Sequence, residues 1–543
     1  MDVKRIILWI IFFFSLLMIF NSLINFNNHK SFFFSDIIKK TSLLNKYDIE
    51  KSSIINYKKH ICSEEKNIKK NCINVKRKII TITTDIIKAD IDTIGGTLKK
   101  LELLKYKDSN NSINNLKLFN CESNNTYLAK SGLLNKEFPN SNSKFIALPG
   151  KRTLGNNDFV KLILESKKND IKLTKTYIFR RGDYKIDIIH TITNYSNKSI
   201  IPLLQMELIR DGNKPNGESY FCRTFTGLAS YNNTDKFKKI SFKDIEKSKR
   251  IYLNQSNNGW IAIIQHYFVS AIIPINGIKR EAFIKKLSNN LYKIDYILPI
   301  NKISPNSKVD IKSYLYSGPQ ISTMLSKTDP NLDLVKDYGW LTIFAKPIFK
   351  LMVYIHAFLD NWGWSIIFLT ILIKLIFFPL SAISYKNMLK MKLLSPKIQE
   401  IRDRNKKNIK KTNEEIVNLY KKEKINPFSS ILPIIIQIPV FISLYSVLLN
   451  SIEIRNAPWL GWIHDLSSPD KFYILPIFMM ISTIIQNQLN SQSLDPEQNI
   501  ISKFAPIIFS IVFFFFPSGL VLYWLINNIL TIIQQWIINR SLI

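Results

Sequence analysis

What this chain lacks narrows its chemistry. Its most apolar stretches, near Phe428–Leu449, Lys471–Leu489, Phe504–Phe516 and Leu520–Ile538, contain no Asp or Glu. A proton relay through a membrane runs on such carboxylates, and no clear inverted repeat is present, so a coupled transporter is disfavoured. There is no Gly-rich phosphate loop, no G-x-S-x-G and no H-E-x-x-H, which removes the common nucleotide, acyl-enzyme and zinc-protease signatures. The four cysteines, Cys62, Cys72, Cys121 and Cys222, match no zinc spacing. A disulfide among them is permitted in an oxidising compartment, and none is expected to be essential. Small residues in an A-x-A-like site are missing after the first apolar run, Lys4–Ile24. That run therefore reads as an uncleaved signal anchor over 1–26 rather than a removed leader.

What is present is positive charge, 75 Lys+Arg against 41 Asp+Glu in 543 residues, a net +34. Either an anionic partner or a Lys/Asn/Ile-rich compositional drift accounts for the total, so its placement matters more. Residues 27–78 are polar and patternless and read as a linker. From Ile79 the pattern alternates with period two, as in Ile80–Thr83, Lys172–Phe179, Tyr184–Ile188 and Lys308–Tyr314. Turn clusters such as Gly95-Gly96, Arg181-Gly182-Asp183 and Asn257-Asn258-Gly259 separate such runs. This predicts a large antiparallel β-sandwich over 79–334. Its histidines, His190 and His266, lie in strand-like runs. They are either ordinary strand or core residues or, with nearby carboxylates, an acid/base pair acting on a sugar.

Beyond it, Leu341, Phe344, Ile348 and Met352 share one helical face. An amphipathic interfacial helix is expected over 335–352, with Trp340, Trp362 and Trp364 as interface anchors. A core of five spans follows over 353–543. The span containing Ser365–Ser381 carries one charge, Lys374. A lone buried ammonium is costly, and without an acid to pair with it must reach water, either by snorkelling or by lining a wet cavity. The most basic loop, 384–425, reads as a helical hairpin on the inner side. Met391, Leu394, Ile398 and Ile401 form its apolar stripe, Pro396 kinks or restarts the first helix, and Thr412-x-x-Glu415 caps the second. It serves as a topology determinant or as a docking surface for an acidic partner, with Lys397, Arg402, Arg404, Lys406 and Lys407 as its cations. The resulting fold class is a polytopic α-helical membrane protein of six transmembrane helices. It carries a large extracytoplasmic β-sandwich and a cytoplasmic helical hairpin, with both termini inside.

Four stretches carry a resemblance: SPKIQEIRDR (395–404), NPFSSILPIIIQIPVF (426–441), APWLGWIHDLSSPDKFYILPI (457–477) and FPSGLVLYWLINNILTIIQQ (516–535). Residues 337–540 resemble the bacterial YidC/Oxa1/Alb3 family of membrane protein insertases, and the whole layout resembles its Gram-negative form. The resemblance implies a multi-pass bacterial inner-membrane protein, with residues about 27–350 periplasmic. It implies a groove open to cytoplasm and lipid that holds one membrane-embedded arginine, a position taken here by Lys374. It also places Thr370, Gln437 and Trp524 along the groove, with Tyr523 beside them, and Asn527 shares that polar wall. Apolar surfaces at Ile434, Ile438, Phe441, Ile508, Val512 and Phe515 would guide a substrate helix into lipid. The implied partners are nascent membrane proteins, the ribosome and signal recognition particle pathway, the Sec translocon and membrane lipids. No cofactor, metal or enzymatic step is implied.

Overall fold

The structure is a computed structural model describing residues 78–108, 113–121, 125–215, 224–248, 250–288, 290–338, 341–405, 408–423, 432–490, 508 and 510–542. The first anchor and most of the linker lie outside these, as do Trp340, Lys406 and Lys407. The chain divides into a β unit ending at Lys336 and a helical unit beginning at Asp337.

In the β unit the period-two runs become strands. Ile171–Arg180 alternates strictly between buried and half-buried positions, with Leu173, Tyr177 and Phe179 inward, because successive side chains leave opposite faces of a strand. Among the described residues, eighteen strands form two nine-stranded antiparallel sheets. One runs in the order Ile79–Thr83, Ile87–Asp92, Thr97–Lys107, Asn115–Cys121, Thr126–Leu133, Leu203–Asp211, Leu291–Pro299, Glu281–Ser288, Arg250–Tyr252. The other runs Lys238–Ser241, Gly227–Tyr231, Trp260–Gln265, Phe268–Pro274, Ser307–Pro319, Lys185–Asn194, Ile171–Arg180, Phe159–Lys168, Ile146–Ala147.

Polar groups tie the two sheets together. Lys175, wholly buried, donates to the carbonyls of Gly95 at 2.7 Å and Ser131 at 2.6 Å. The Tyr177 hydroxyl donates to the Gly96 carbonyl at 2.7 Å. Gly95 and Gly96 adopt φ +71° and +56°, a region open to glycine, and a Cβ on Gly95 would collide with the Ser141 carbonyl. Within one sheet, Lys293 is buried between Glu207 at 3.0 Å and Asp295 at 3.2 Å, and Arg280 spends its guanidinium on backbone carbonyls, including Pro274 and Ile275.

This packing removes the acid/base reading of the histidines. His190 is fully buried, its Nε2 is 2.8 Å from the Ser131 hydroxyl, and its charged neighbour is Lys175 rather than a carboxylate. The adjoining cavity measures about 20 Å³, room for a water and not for a sugar. His266 lies at the turn before Phe268–Pro274, stacked on Tyr267. Cys121 is disulfide-bonded, to a residue outside those described.

The helical unit holds eight helices among the described residues that concern the site: α1 Thr342–Leu359, α2 Trp362–Ile376, α3 Phe378–Leu393, α4 Ser395–Arg404, α5 Ile409–Lys422, α6 Leu432–Asn450, α7 Ile474–Asn490 and α8 Ser518–Leu542. By length and composition α1 and α8 can each cross a membrane, as can α2 with α3 if that bent pair is one span; α6 and α7 are shorter apolar helices. The expected helix at 335–352 is corrected to α1, which continues to Leu359 and turns at Asp360 in the left-handed region. Its buried face is Leu341, Ala345, Phe349 and Met352, while Phe344 is half exposed. The Asn361 side chain then caps α2 by accepting from the backbone N–H groups of Gly363 and Trp364. Between α2 and α3 the chain bends by 64°. Pro379 explains the break, since it cannot donate the next helical hydrogen bond and is tolerated only in a first turn.

Pro396 sits in the first turn of α4, so that helix restarts there. Leu394 and Ile398 are buried against Met391, Ile416, Leu419 and Tyr420, joining α4 to α5. The expected Thr412–Glu415 capping box is not formed. Asn408 caps α5, accepting from the Lys411 N–H at 3.1 Å, and Thr412 donates to the Asn408 carbonyl at 3.0 Å. Glu415 instead accepts from Asn405 of the connecting turn at 3.0 Å.

The β unit carries a pH dependence. Burial, then the charge of Lys175, lowers His190 from its ordinary 6.5 to about 3. The unfolded chain therefore binds more protons between those values, and stability is lost as pH falls from 6.5 through 3. Burial likewise lowers Lys175 from 10.5 to about 7, so stability also rises from pH 7 towards 10.5. Urea midpoints read by β-sheet circular dichroism should fall steadily from pH 6.5 to 4. His190→Gln, which keeps a donor for Ser131, should flatten that fall.

Candidate functional site

A stripe of polar side chains runs along α8. Asn527, Thr531 and Gln534 recur at helical spacing, with Asn528 and Gln535 beside them, and all five are buried. Such a stripe is too polar for lipid, so it faces other helices and not the bilayer. Towards α7, Asn528 Nδ2 donates to the Ser482 hydroxyl at 3.1 Å and the Thr483 hydroxyl at 2.9 Å. Towards α2, Thr531 meets Lys374, whose Nζ donates to the threonine Oγ1 at 2.8 Å. Thr531 in turn donates to the Asn527 carbonyl at 2.7 Å. Gln534 Nε2 lies 3.4 Å from the Lys374 carbonyl, while its Oε1 is buried without a partner. Tyr385 of α3 lies beside Thr531 and Gln535. Lys374 of α2 thus meets the polar stripe of α8 directly, at Thr531.

Lys374 is half-buried, and among the described residues no carboxylate pairs with it. Its ammonium is met by the neutral hydroxyl of Thr531. Such a site attracts an anion without holding one of its own.

The remaining residues distribute unevenly. Thr370, one turn before Lys374, is buried and donates its hydroxyl to the Ile366 carbonyl at 2.6 Å. In this conformation its hydroxyl proton serves its own helix. Tyr523 is buried, Trp524 is half-buried, and both pack on Phe441, with ring centroids 6.2 and 4.8 Å away. Phe441 is itself half-buried beside these rings. Gln437 is half-buried on α6. Ile438, Ile508 and Phe515 are exposed and Val512 is half-buried; the Ile434 side chain lies outside the described residues. Of the basic residues, Lys397 and Arg404 are exposed and Arg402 half-buried, with Arg404 paired to Glu400 at 3.1 Å, an exposed pair of little energetic weight.

Sequence reasoning named Asn527 and passed over Thr531, Gln534 and Tyr385 as members of the site. The available signal was the 527–531–534 spacing, which puts three polar residues on one face of an otherwise apolar helix.

Comparison with known proteins places the chain as a whole. A family model described as 60Kd inner membrane protein matches residues 354–543, and one described as YidC periplasmic domain matches 79–351. The chain belongs to the YidC family. The membrane protein insertase YidC of Janthinobacterium sp. (strain Marseille) is 47% identical over 567 residues, covering 100% of this chain and 99% of that protein. The YidC of Cupriavidus necator is 45% identical over 549 residues, covering 100% and 98%. Among solved structures, an active YidC insertase crystal structure with its first transmembrane domain resolved aligns over 86% of this chain and 93% of its own, at 18% identity and TM-score 0.38. The 60Kd family to which residues 354–543 belong is one of inner membrane proteins, and the β-sandwich is the YidC periplasmic domain.

The Asn528 bonds make a stability prediction. Asn528→Ala removes both links between α7 and α8 and should cost about 1–2 kcal/mol, read as a lower unfolding midpoint in detergent. Thr370→Val, whose lost hydroxyl served only its own helix, should change it by less than about half as much.

Proposed function

We propose that the protein inserts nascent membrane proteins into the bacterial inner membrane and helps them fold, alone or with the Sec translocon, without an enzymatic reaction. The supporting observation is an unpaired ammonium set among neutral polar groups in a chain whose full-length relatives are named membrane protein insertases. In this reading six helices span the membrane with both termini cytoplasmic, residues about 27–350 are periplasmic, and 353–543 form the insertase core.

The helices over 384–425 form a cytoplasmic hairpin that docks a ribosome delivered by the signal recognition particle pathway. Lys397, Arg402, Arg404, Lys406 and Lys407 supply the positive surface. The short outer segment of the substrate enters a groove lined by Lys374, Thr370, Gln437, Tyr523, Trp524 and Asn527, where an acidic side chain replaces water at the ammonium. Its apolar helix moves along Ile434, Ile438, Phe441, Ile508, Val512 and Phe515 into lipid. Burial of apolar surface yields about 25 cal/mol per Å², so partition drives the step and no nucleotide is needed. Membrane lipids are partners in this sense, and no small-molecule cofactor takes part.

Crosslinking a stalled nascent chain from positions 374, 437 and 524 tests the groove, and absence of any adduct at all three overturns it. Lys374→Arg should keep insertion, since charge is retained and the planar fork adds donors. Lys374→Ala should impair it most for substrates with acidic translocated tails. Equal activity of all three proteins would mean the ammonium only snorkels. Gradient-driven solute flux through the pure protein in liposomes, without insertion of a single-span substrate, would favour a transporter instead.

A further inference from the structure

Lysine is a poor substitute for arginine as a fixed anion receptor. Its four-carbon stem is flexible and its ammonium carries no planar fork, so something else must hold it in place. In this protein that neighbour is identifiable. Lys374 Nζ donates to Thr531 Oγ1 at 2.8 Å. Thr531 gives its own proton to the Asn527 carbonyl at 2.7 Å, which turns its lone pairs towards the ammonium. The threonine is buried, with 4% of its surface exposed, and β-branching restricts its χ1. It is a rigid acceptor on a rigid helix. The other end of the lysine is held as well, since Gln534 approaches the Lys374 carbonyl at 3.4 Å. An ammonium has three donors, and Thr531 takes one, leaving the remainder for an incoming carboxylate.

We infer that Thr531 is a positioning residue that aims Lys374 and so sets the preference for substrates with acidic translocated segments, an inference that rests on the role proposed above for Lys374. Thr531 touches no substrate in this scheme. It restricts the lysine to the orientation in which a carboxylate binds, a task the guanidinium of an arginine performs with its own geometry.

The experiment reconstitutes the full-length protein in liposomes with two single-span substrates differing only in whether the translocated tail is acidic or neutral. Thr531→Val, nearly isosteric, should lower acidic-tail insertion about tenfold, the scale of one hydrogen bond to a charged group. Neutral-tail insertion should stay within about twofold, which also certifies folding. Thr531→Ser should restore the acidic-tail rate. Adding Thr531→Val to Lys374→Ala should cause no further loss, and adding it to Lys374→Arg should cost less than in the native background. Equal loss for both tails would make Thr531 merely structural and overturn the inference. A normal Thr531→Val protein beside a defective Lys374→Ala protein would overturn it alone. A Lys374→Ala protein without defect would overturn the role of Lys374 and this inference with it.

Discussion

An ammonium inside an apolar helix bundle, with no acid paired to it among the described residues, is the constraint around which the helical unit is arranged. A buried charge is tolerated only when polar groups replace its lost hydration. Here the Thr531 hydroxyl of α8 meets the ammonium, and the Gln534 amide of the same helix meets the lysine's backbone carbonyl. The polar stripe on α8 is long because it serves two sides, with Asn528 joining α7 and Thr531 meeting α2. The same stripe that holds the helices together therefore also surrounds the ammonium.

The β-sandwich solves an analogous problem in a different way. It also buries cations, Lys175, Lys293 and Arg280, but each is held by two or more carbonyls or carboxylates in place. Cations held in this way lock sheets and loops. The contrast separates a structural cation from a receptive one: what counts is how many donors remain, not how deeply the charge is buried.

Much of this was legible in the sequence. Strict alternation in Ile171–Arg180 and the Gly95-Gly96 turn announced strands and their reversal, since both follow from local backbone geometry. Lys374 stood out because one charge in an apolar run is costly wherever it ends up. What the sequence hid was tertiary. Thr412 and Glu415 have capping spacing, yet Asn408 reached the helix end first. Thr370 looks like a groove hydroxyl but satisfies its own backbone. Phe441 looks like a lipid-facing aromatic but packs on Tyr523 and Trp524. The partner of Lys374 lies 157 residues away, beyond any local pattern.

The bend after Ile376 has one more consequence. Lys374 lies in the last turn of α2, where the aligned peptide dipoles leave about half a negative charge at the helix end. By stopping the helix there, Pro379 leaves this partial charge in the same turn of backbone that carries Lys374. Such a backbone charge, unlike a carboxylate, cannot be protonated away or move as a rival for the cation.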